Sequence, residues 1–464
     1  MNAAATLVQP LLRYQRDRTL AQVPGLGTGL QLRLGEDRRA YVALSPCELV
    51  IYFNGSPSDP HEEEHALHYD WEGRLLKIAT AKYSRRLGLS HRLLVTRKRT
   101  LEEGGGVDRI LAAEEAADDA VAEAHREMVQ VLASLNSGVT AIEFGKPSVH
   151  EAVHALTPLL ERAAQFHVAA ARASAQRFNQ IYGRVAVLPP AEYNALVLQA
   201  TEGCSYGDCL FCELYRGVFH SRKTAAEFDA HVREAIEFHG QGLRARRSIF
   251  LGEANALMLP QETLREFFDV LNEHFEFPPP EQNAVPVRWW LGSSRRFDGV
   301  GSFVDLFTGK PRSATELYEL RKHGLRRVYI GLETGSNELL RWLCKPGAAD
   351  QTQRRIRALK EAGISVGVIV LLGAGGKMFD EAHRQETGRV LNELALSAGD
   401  SIYFSPLVIA PNSEYQEQTR ALGIRPLTRP QIDQQERAIR DALRFDSARG
   451  RPYVARYSLD TFMY

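Results

Sequence analysis

The sequence predicts an α/β protein: a partial, TIM-like barrel of about six βα units behind a small β-rich N-terminal domain and a helical linker. Three observations predict this. Short apolar runs alternate with turn signals up to about residue 103, helical periodicity follows, and strand-like and helix-like segments alternate from residue 193 onward. We expect a β-rich domain at 1–106, a helical linker at 107–190, the barrel at 191–425, and a C-terminal helix and tail at 426–464.

The first two regions contain few long apolar segments. The strands predicted in the N-terminal domain are 40–44, 48–53, 65–70, 75–79 and 91–96. A hairpin is expected at 71–74, where Gly73 can adopt a left-handed turn conformation. In the linker, apolar residues repeat at helical spacing over 121–135 and the run ends at 136–138. A second helical stretch covers 149–182, with Pro158 kinking its start.

The barrel strands are short and apolar. They are predicted at 195–200, 248–251, 326–332, 365–372 and 401–407, with a less distinct strand between 287 and 307. The intervening helices have start signals, because Thr224 with Glu227 and Ser313 with Glu316 each match a capping box. Gly363 follows the 350–362 helix, as a C-terminal glycine does.

Composition limits the function classes. The 57 basic and 57 acidic residues of the 464-residue chain cancel, so no global field indicates nucleic acid or an anionic membrane. No apolar run approaches the roughly 20 residues that span a bilayer, and we expect a cytoplasmic protein. Three of the five cysteines fall between Cys204 and Cys212, which indicates metal chemistry in a reducing compartment and not a disulfide framework.

Cys204, Cys209 and Cys212 directly follow the first barrel strand. Loops after parallel strands converge on one face of a barrel, so ligands from other strands can meet a metal bound there. Three thiolates can hold three irons of a cubane cluster and leave the fourth iron open to an external chelate. A structural zinc site, with His220 as the fourth ligand, is the competing interpretation.

These features resemble the radical S-adenosylmethionine (radical SAM) superfamily over roughly residues 193–420. Its members share a partial six-unit βα barrel and a three-cysteine loop after the first strand. The commonest family spacing has three residues between the first two cysteines, whereas this chain has four. The barrel layout is most similar to the subgroup of oxygen-independent coproporphyrinogen oxidases and elongator-type subunits.

The resemblance also implies roles for residues after the other strands. Phe211 should lie close to the adenine of S-adenosylmethionine, and Val370 should belong to the apolar wall beside it. Gly252 and Glu253 occupy the turn that binds the methionine amino group. Glu333, followed by Thr334, should accept hydrogen bonds from the ribose.

The resemblance implies an oxygen-sensitive enzyme with a [4Fe–4S] cluster and S-adenosylmethionine as cofactors. A 5′-deoxyadenosyl radical would take hydrogen from an unidentified substrate, and an external one-electron reductant of flavodoxin or ferredoxin type would supply the electron. No residue is identified as the catalytic acid, base or hydrogen donor. The alternative is a zinc-stabilised or cluster-carrying βα scaffold that binds a nucleotide or protein partner without radical catalysis.

Two expectations concern the surroundings of the site. The N-terminal domain and linker should cover the barrel mouth or select the substrate. His383 follows the fifth strand of the barrel, and it should either face the substrate or lie on the surface of a helix.

Overall fold

The computed structural model describes residues 29–34, 38–54, 64–100, 106–135, 139–141, 149–282, 293–305, 310–459 and 461–464. The helix end expected at 136–138 lies outside these residues. The described residues form one antiparallel and one parallel sheet, each with its own apolar core, and a two-stranded ribbon.

The antiparallel sheet has nine strands in the order β8-β7-β6-β5-β4-β3-β2-β1-β9. They are β1 Gly29–Arg33, β2 Arg39–Leu44, β3 Leu49–Phe53, β4 His65–Tyr69, β5 Leu75–Thr80, β6 Tyr83–Leu87, β7 Leu93–Lys98, β8 Val107–Leu111 and β9 Val139–Ala141. The five predicted strands are present, and the hairpin turn at Gly73 has the expected positive φ of 81°. Strands β1, β6, β8 and β9 were not predicted.

Three helices accompany this sheet: α1 Glu114–Ser134, α2 Val149–Ala164 and α3 Val168–Ile181. Helices α1 and α2 pack on one face of the sheet, and α3 packs against α1. The expected linker is therefore the second layer of the N-terminal domain. The stretch expected as a single helix over 149–182 is broken before α3, where the His167 ring accepts a hydrogen bond from the Ala170 backbone N–H.

The parallel sheet has seven strands in the order β10-β13-β14-β15-β16-β17-β18. They are β10 Ala195–Gln199, β13 Ser248–Gly252, β14 Val300–Phe303, β15 Leu325–Glu333, β16 Ser365–Leu372, β17 Ser401–Pro406 and β18 Tyr453–Arg456. The six predicted strands are confirmed. The seventh, β18, lies in the region expected to be a tail and pairs with β17.

In the described part of the chain, eight helices connect or follow these strands: α4 Ala225–His239, α5 Gln261–His274, α6 Ala314–Lys322, α7 Asn337–Trp342, α8 Ala349–Glu361, α9 Gly376–Glu393, α10 Glu414–Ala421 and α11 Arg429–Ala442. Both predicted capping boxes are present, at the starts of α4 and α6. The two-stranded ribbon pairs β11 Thr201–Glu202 with β12 Ser221–Arg222 and encloses the cysteine loop. None of the helices in the described part of the chain is long and apolar enough to cross a membrane.

The N-terminal domain contacts the underside of the barrel, where the parallel strands begin. The Arg244 guanidinium lies 4.8 Å from the centre of the Trp71 ring, and the Gln241 backbone N–H donates to Glu72 Oε1 at 2.6 Å. Both barrel residues precede β13. The expectation that this domain covers the barrel mouth is wrong for the described residues, because the cysteines lie at the opposite ends of the strands.

Candidate active site

A cavity of about 380 Å³ opens at the C-terminal ends of the parallel strands. Every strand of the sheet, or the segment that follows it, contributes to its wall. Cys204, Cys209 and Cys212 all line this cavity. The structure therefore brings the three thiols to one cavity, and their role as cluster ligands stays a prediction.

Backbone contacts fix the cysteine loop. The Leu210 N–H donates to the Leu343 carbonyl at 2.9 Å, and the Cys212 N–H donates to the Cys209 carbonyl at 3.1 Å. The Leu210 side chain is buried in a small apolar cluster with residues of α7 and β16. From the turn after the neighbouring strand β13, the Asn255 side-chain amide contacts Cys204 Sγ at 3.6 Å. The thiols are thus held on a packed loop.

Burial makes the free thiolates unfavourable. It raises the pKa of Cys209 to about 12 and also raises the pKa of Cys212. A bound metal supplies the positive charge that stabilises such thiolates, so their deprotonation is coupled to metal binding. This donor set fits a metal group better than it fits a free nucleophile.

The arrangement of the cysteines can be compared with that of a mononuclear zinc site. Among the described His, Cys, Asp and Glu residues, only Asp229, Glu273 and His274 place three ligand atoms within 4.8 Å of one another. Tetrahedral zinc binds thiolates at roughly 2.3 Å, which would bring the three sulfurs closer together than that. The His220 ring instead contacts the Glu202 carbonyl at 3.1 Å. The three sulfurs are therefore not already gathered in the arrangement of a tetrahedral zinc site, and His220 is not turned toward them as a fourth ligand.

The turn after β13 faces the cavity through Ala254 and Asn255. Glu253 anchors this turn from behind, because Gln199 Nε2 donates to its Oε1 at 2.9 Å and the Tyr215 hydroxyl donates to its Oε2 at 3.0 Å. Burial raises the pKa of Glu253, and the two donated hydrogen bonds oppose that rise. Gly252 is buried as the last residue of β13.

Glu333 lines the cavity at the end of β15. Lys345 Nζ donates to its Oε1 at 3.3 Å. Burial by itself would lower the pKa of Lys345, but the charges of Glu333 and Cys209 raise it above its ordinary value. A side chain at Gly331 would place its Cβ 2.1 Å from Glu333 Oε1, so this glycine leaves space for the carboxylate.

Thr334 and His383 lie behind this turn. Both are fully buried, and the His383 Nδ1 and Thr334 Oγ1 atoms are 2.7 Å apart. Neither residue is part of the cavity wall. The two roles considered for His383 are therefore both wrong, because the helix face that carries it packs against the end of β15.

The predicted adenine wall is present in part. Phe211, Ile369 and Leu371 line the cavity, whereas the buried Val370 side chain does not. Successive side chains of a strand point to opposite faces, so Val370 packs on the other side of β16.

Sequence reasoning assigned no site role to several other residues of the wall, among them Tyr215, Arg184 and Tyr457. Lys345 carried only a weak signal, the helix end Lys345-Pro346-Gly347. Tyr457 follows β18, and its position could not be predicted without that strand.

The family model of the radical SAM superfamily matches residues 198–389. The chain contains a radical SAM domain. Enzymes of this superfamily use a [4Fe–4S] cluster and S-adenosylmethionine, and the match covers the part of this chain that contains the cysteine loop and most of the strands around the cavity. The match identifies no substrate.

Solved structures of radical SAM proteins are similar at low identity. The methyltransferase TsrM from Kitasatospora setae, with cobalamin and a [4Fe-4S] cluster bound, has 18% identity and a TM-score of 0.34 over 52% of this chain and 41% of that chain. Coproporphyrinogen III oxidase from Escherichia coli has 15% identity and a TM-score of 0.37 over 57% of this chain and 56% of that chain. Elp3 from Methanocaldococcus infernus has 14% identity and a TM-score of 0.34 over 50% of this chain and 58% of that chain. No curated protein sequence matches significantly.

This chain spans less than two thirds of each of these three structures. Their substrates and additional cofactors are therefore not assigned to it.

Proposed function

We propose that Cys204, Cys209 and Cys212 hold a [4Fe–4S] cluster whose fourth iron is open to S-adenosylmethionine in the same cavity. When bound, the two cofactors supply a 5′-deoxyadenosyl radical that takes hydrogen from a substrate. The observation that carries this proposal is the set of three thiols on one packed loop that lines a single cavity within the matched domain. The alternative scaffold without catalysis explains neither the family match nor the shared cavity.

The strand ends supply the cofactor contacts in this proposal. The turn from Gly252 to Asn255 faces the methionine end, Glu333 accepts from the ribose hydroxyls, and Phe211 lies beside the adenine with Leu371 and Ile369. These apolar side chains exclude water, which protects a reactive radical from side reactions. Thr334 and Val370 support this surface from behind and do not themselves line the cavity.

An external one-electron donor of flavodoxin or ferredoxin type completes the proposal. The remaining cysteines do not supply a second cluster, since Cys47 Sγ accepts from the Arg247 guanidinium on the barrel underside at 3.0 Å and Cys344 is exposed. An iron site with an open position also requires a reducing compartment, so we place the reaction in the cytoplasm.

Electron paramagnetic resonance on anaerobically reconstituted, reduced protein tests the proposal. The wild type should show a cubane signal that shifts when S-adenosylmethionine is added. Cys209→Ala should lose at least nine tenths of that signal because one iron loses its ligand, whereas Cys47→Ala should keep it.

Two other results would contradict the proposal. A cubane signal that never responds to S-adenosylmethionine would favour a cluster carrier. Stoichiometric zinc without sulfide would favour the scaffold.

A further inference from the structure

The turn after β15 has an unusual backbone conformation. Glu333 has a φ of 62°, in the left-handed region that non-glycine residues seldom occupy. The strand ladder is also irregular between Gly331 and Glu333. Such a conformation persists only where the surroundings hold it. The residues that hold this turn therefore control how Glu333 is placed.

Helix α9 holds the turn through two side chains on one face. The Gly335 N–H donates to Thr387 Oγ1 at 2.9 Å, and His383 Nδ1 contacts Thr334 Oγ1 at 2.7 Å. The Ser336 N–H in turn donates to Thr334 Oγ1 at 3.0 Å. His383 and Thr387 are four residues apart, which places them on neighbouring turns of the same helix face.

The second ring nitrogen of His383 makes no competing contact. Its Nε2 is buried and has no hydrogen-bond partner among the described residues. The ring is therefore held through Nδ1 alone, which lies 2.7 Å from Thr334 Oγ1 and 3.4 Å from Thr387 Oγ1. Burial lowers the pKa of His383 to about 4, which keeps the ring neutral at physiological pH.

The helix also approaches the turn closely. A Cβ on Gly335 would lie 2.3 Å from the Glu386 carbonyl oxygen, so the turn and the helix backbone are in direct contact. His383 is fully buried and does not line the cavity. It can therefore affect the site only through the turn, and not by touching a cofactor.

We infer that His383 and Thr387 are positioning residues: they hold residues 333–336 in the conformation that directs the Glu333 carboxylate into the cavity beside Lys345. This inference rests on the proposed function for the role of Glu333 in binding S-adenosylmethionine. The clamp itself, from α9 onto the turn, requires no cofactor. The two parts can therefore be tested separately.

Hydrogen exchange of the cluster-free protein tests the clamp. In His383→Ala and Thr387→Val, the amides of Gly335 and Ser336 should exchange about tenfold faster, the change expected for loss of one ordinary hydrogen bond. His383→Asn should restore slow exchange because its amide nitrogen can replace Nδ1. His239→Ala is the matched control, since His239 is equally buried but lies on the barrel underside. Unchanged exchange in His383→Ala would overturn the clamp.

Titration of the reconstituted enzyme with S-adenosylmethionine, followed by the shift of the cubane signal, tests the consequence. His383→Ala should need about tenfold more cofactor, as is typical when a group supporting a binding residue is removed. Its signal without cofactor should match the wild type, and His383→Asn should recover most of the affinity. Faster exchange with unchanged affinity would overturn the positioning role. If the signal of the wild type never shifts with S-adenosylmethionine, the proposed function is overturned. The hydrogen-exchange result would still show whether α9 holds the turn.

Discussion

Glu253 shows how a residue can be recognised from a motif while its local role is not. The resemblance placed it at the cofactor, yet both of its carboxylate oxygens accept hydrogen bonds from the protein itself. A buried carboxylate of this kind shapes the turn that carries Ala254 and Asn255. Its burial also makes the stability of the protein depend on pH.

Glu253→Gln should therefore stabilise the fold at neutral pH. Because the folded pKa is raised, wild-type stability is fully present below the unfolded pKa of about 4.3 and decreases as the pH rises through the folded pKa. The advantage of the variant should be near zero below that pH, grow above it, and then level off. Urea unfolding of the cluster-free protein between pH 4 and pH 8 measures this difference.

Glu227→Gln provides a control of opposite sign. Hydrogen bonds from Thr224 hold the pKa of Glu227 below its usual range, so the wild type gains stability as the pH rises. The difference should develop as the pH rises through the lowered folded pKa and be complete at about pH 4.3, so this variant should be less stable than the wild type by a constant amount above that pH. If the two variants showed the same trend, the burial argument for Glu253 would be wrong.

The candidate site was predictable where chemistry is encoded locally. The three cysteines, Phe211 and Glu333 line one cavity as their motifs indicate. Val370 shows where such prediction fails, because a motif locates a strand but does not tell which of its side chains face the cavity. Lys345 and Tyr457 reach the cavity from distant segments, and no local pattern reveals that approach.

At the scale of elements, predictability followed apolar content. Most of the buried parallel strands were found within a few residues, since both of their faces are covered and their sequences are continuously apolar. The exception is β14, whose sequence Val-Gly-Ser-Phe is not continuously apolar and which was located only between 287 and 307. Strands β6, β8 and β18 have few buried positions, and their residues alternate weakly or not at all. Edge and half-exposed strands carry too little hydrophobic signal to be distinguished from loops.

The first barrel strand depends on an unexpected contact. The Tyr464 hydroxyl donates to the Ala195 carbonyl at 3.0 Å and accepts from the Val197 N–H at 3.0 Å. Tyr464→Phe would leave the Val197 N–H buried without its partner, while the Ala195 carbonyl keeps the hydrogen bond from Arg246 Nη1 at 3.3 Å. We expect a loss of about 1–3 kcal/mol in the free energy of unfolding. Urea unfolding measures this loss, with Tyr453→Phe as the control because that ring is mostly exposed. If both variants lost the same free energy of unfolding, the hydrogen bonds from Tyr464 to the first barrel strand would not be what stabilises it.

At the scale of the whole molecule, the N-terminal domain and the cofactor cavity lie at opposite ends of the barrel. Trp71 belongs to the core of that domain and also meets Arg244 on the barrel. Its removal should therefore affect stability and leave the chemistry unchanged.

Trp71→Ala should lower the free energy of unfolding by about 3–5 kcal/mol, the usual loss for a buried aromatic side chain. The reconstituted variant should still give a cubane signal that shifts with S-adenosylmethionine. Circular dichroism during urea unfolding and paramagnetic resonance measure the two quantities. Tyr318→Ala, on the partly exposed face of α6, should change neither. A lost cofactor response in folded Trp71→Ala would contradict the separation of the two ends.

The contact between Tyr464 and the first barrel strand also bears on biosynthesis. Val197 and its partner Tyr464 are separated by 267 residues. At typical elongation rates of 5–20 residues per second, a ribosome needs roughly 13 to 53 s to make that interval. The cysteine loop emerges near the beginning of this period, before most of the barrel around it exists. Because Tyr457 and Leu459 also line the cavity, the wall around the cysteines is complete only after these residues have been made, and the proposed cluster is enclosed after that point.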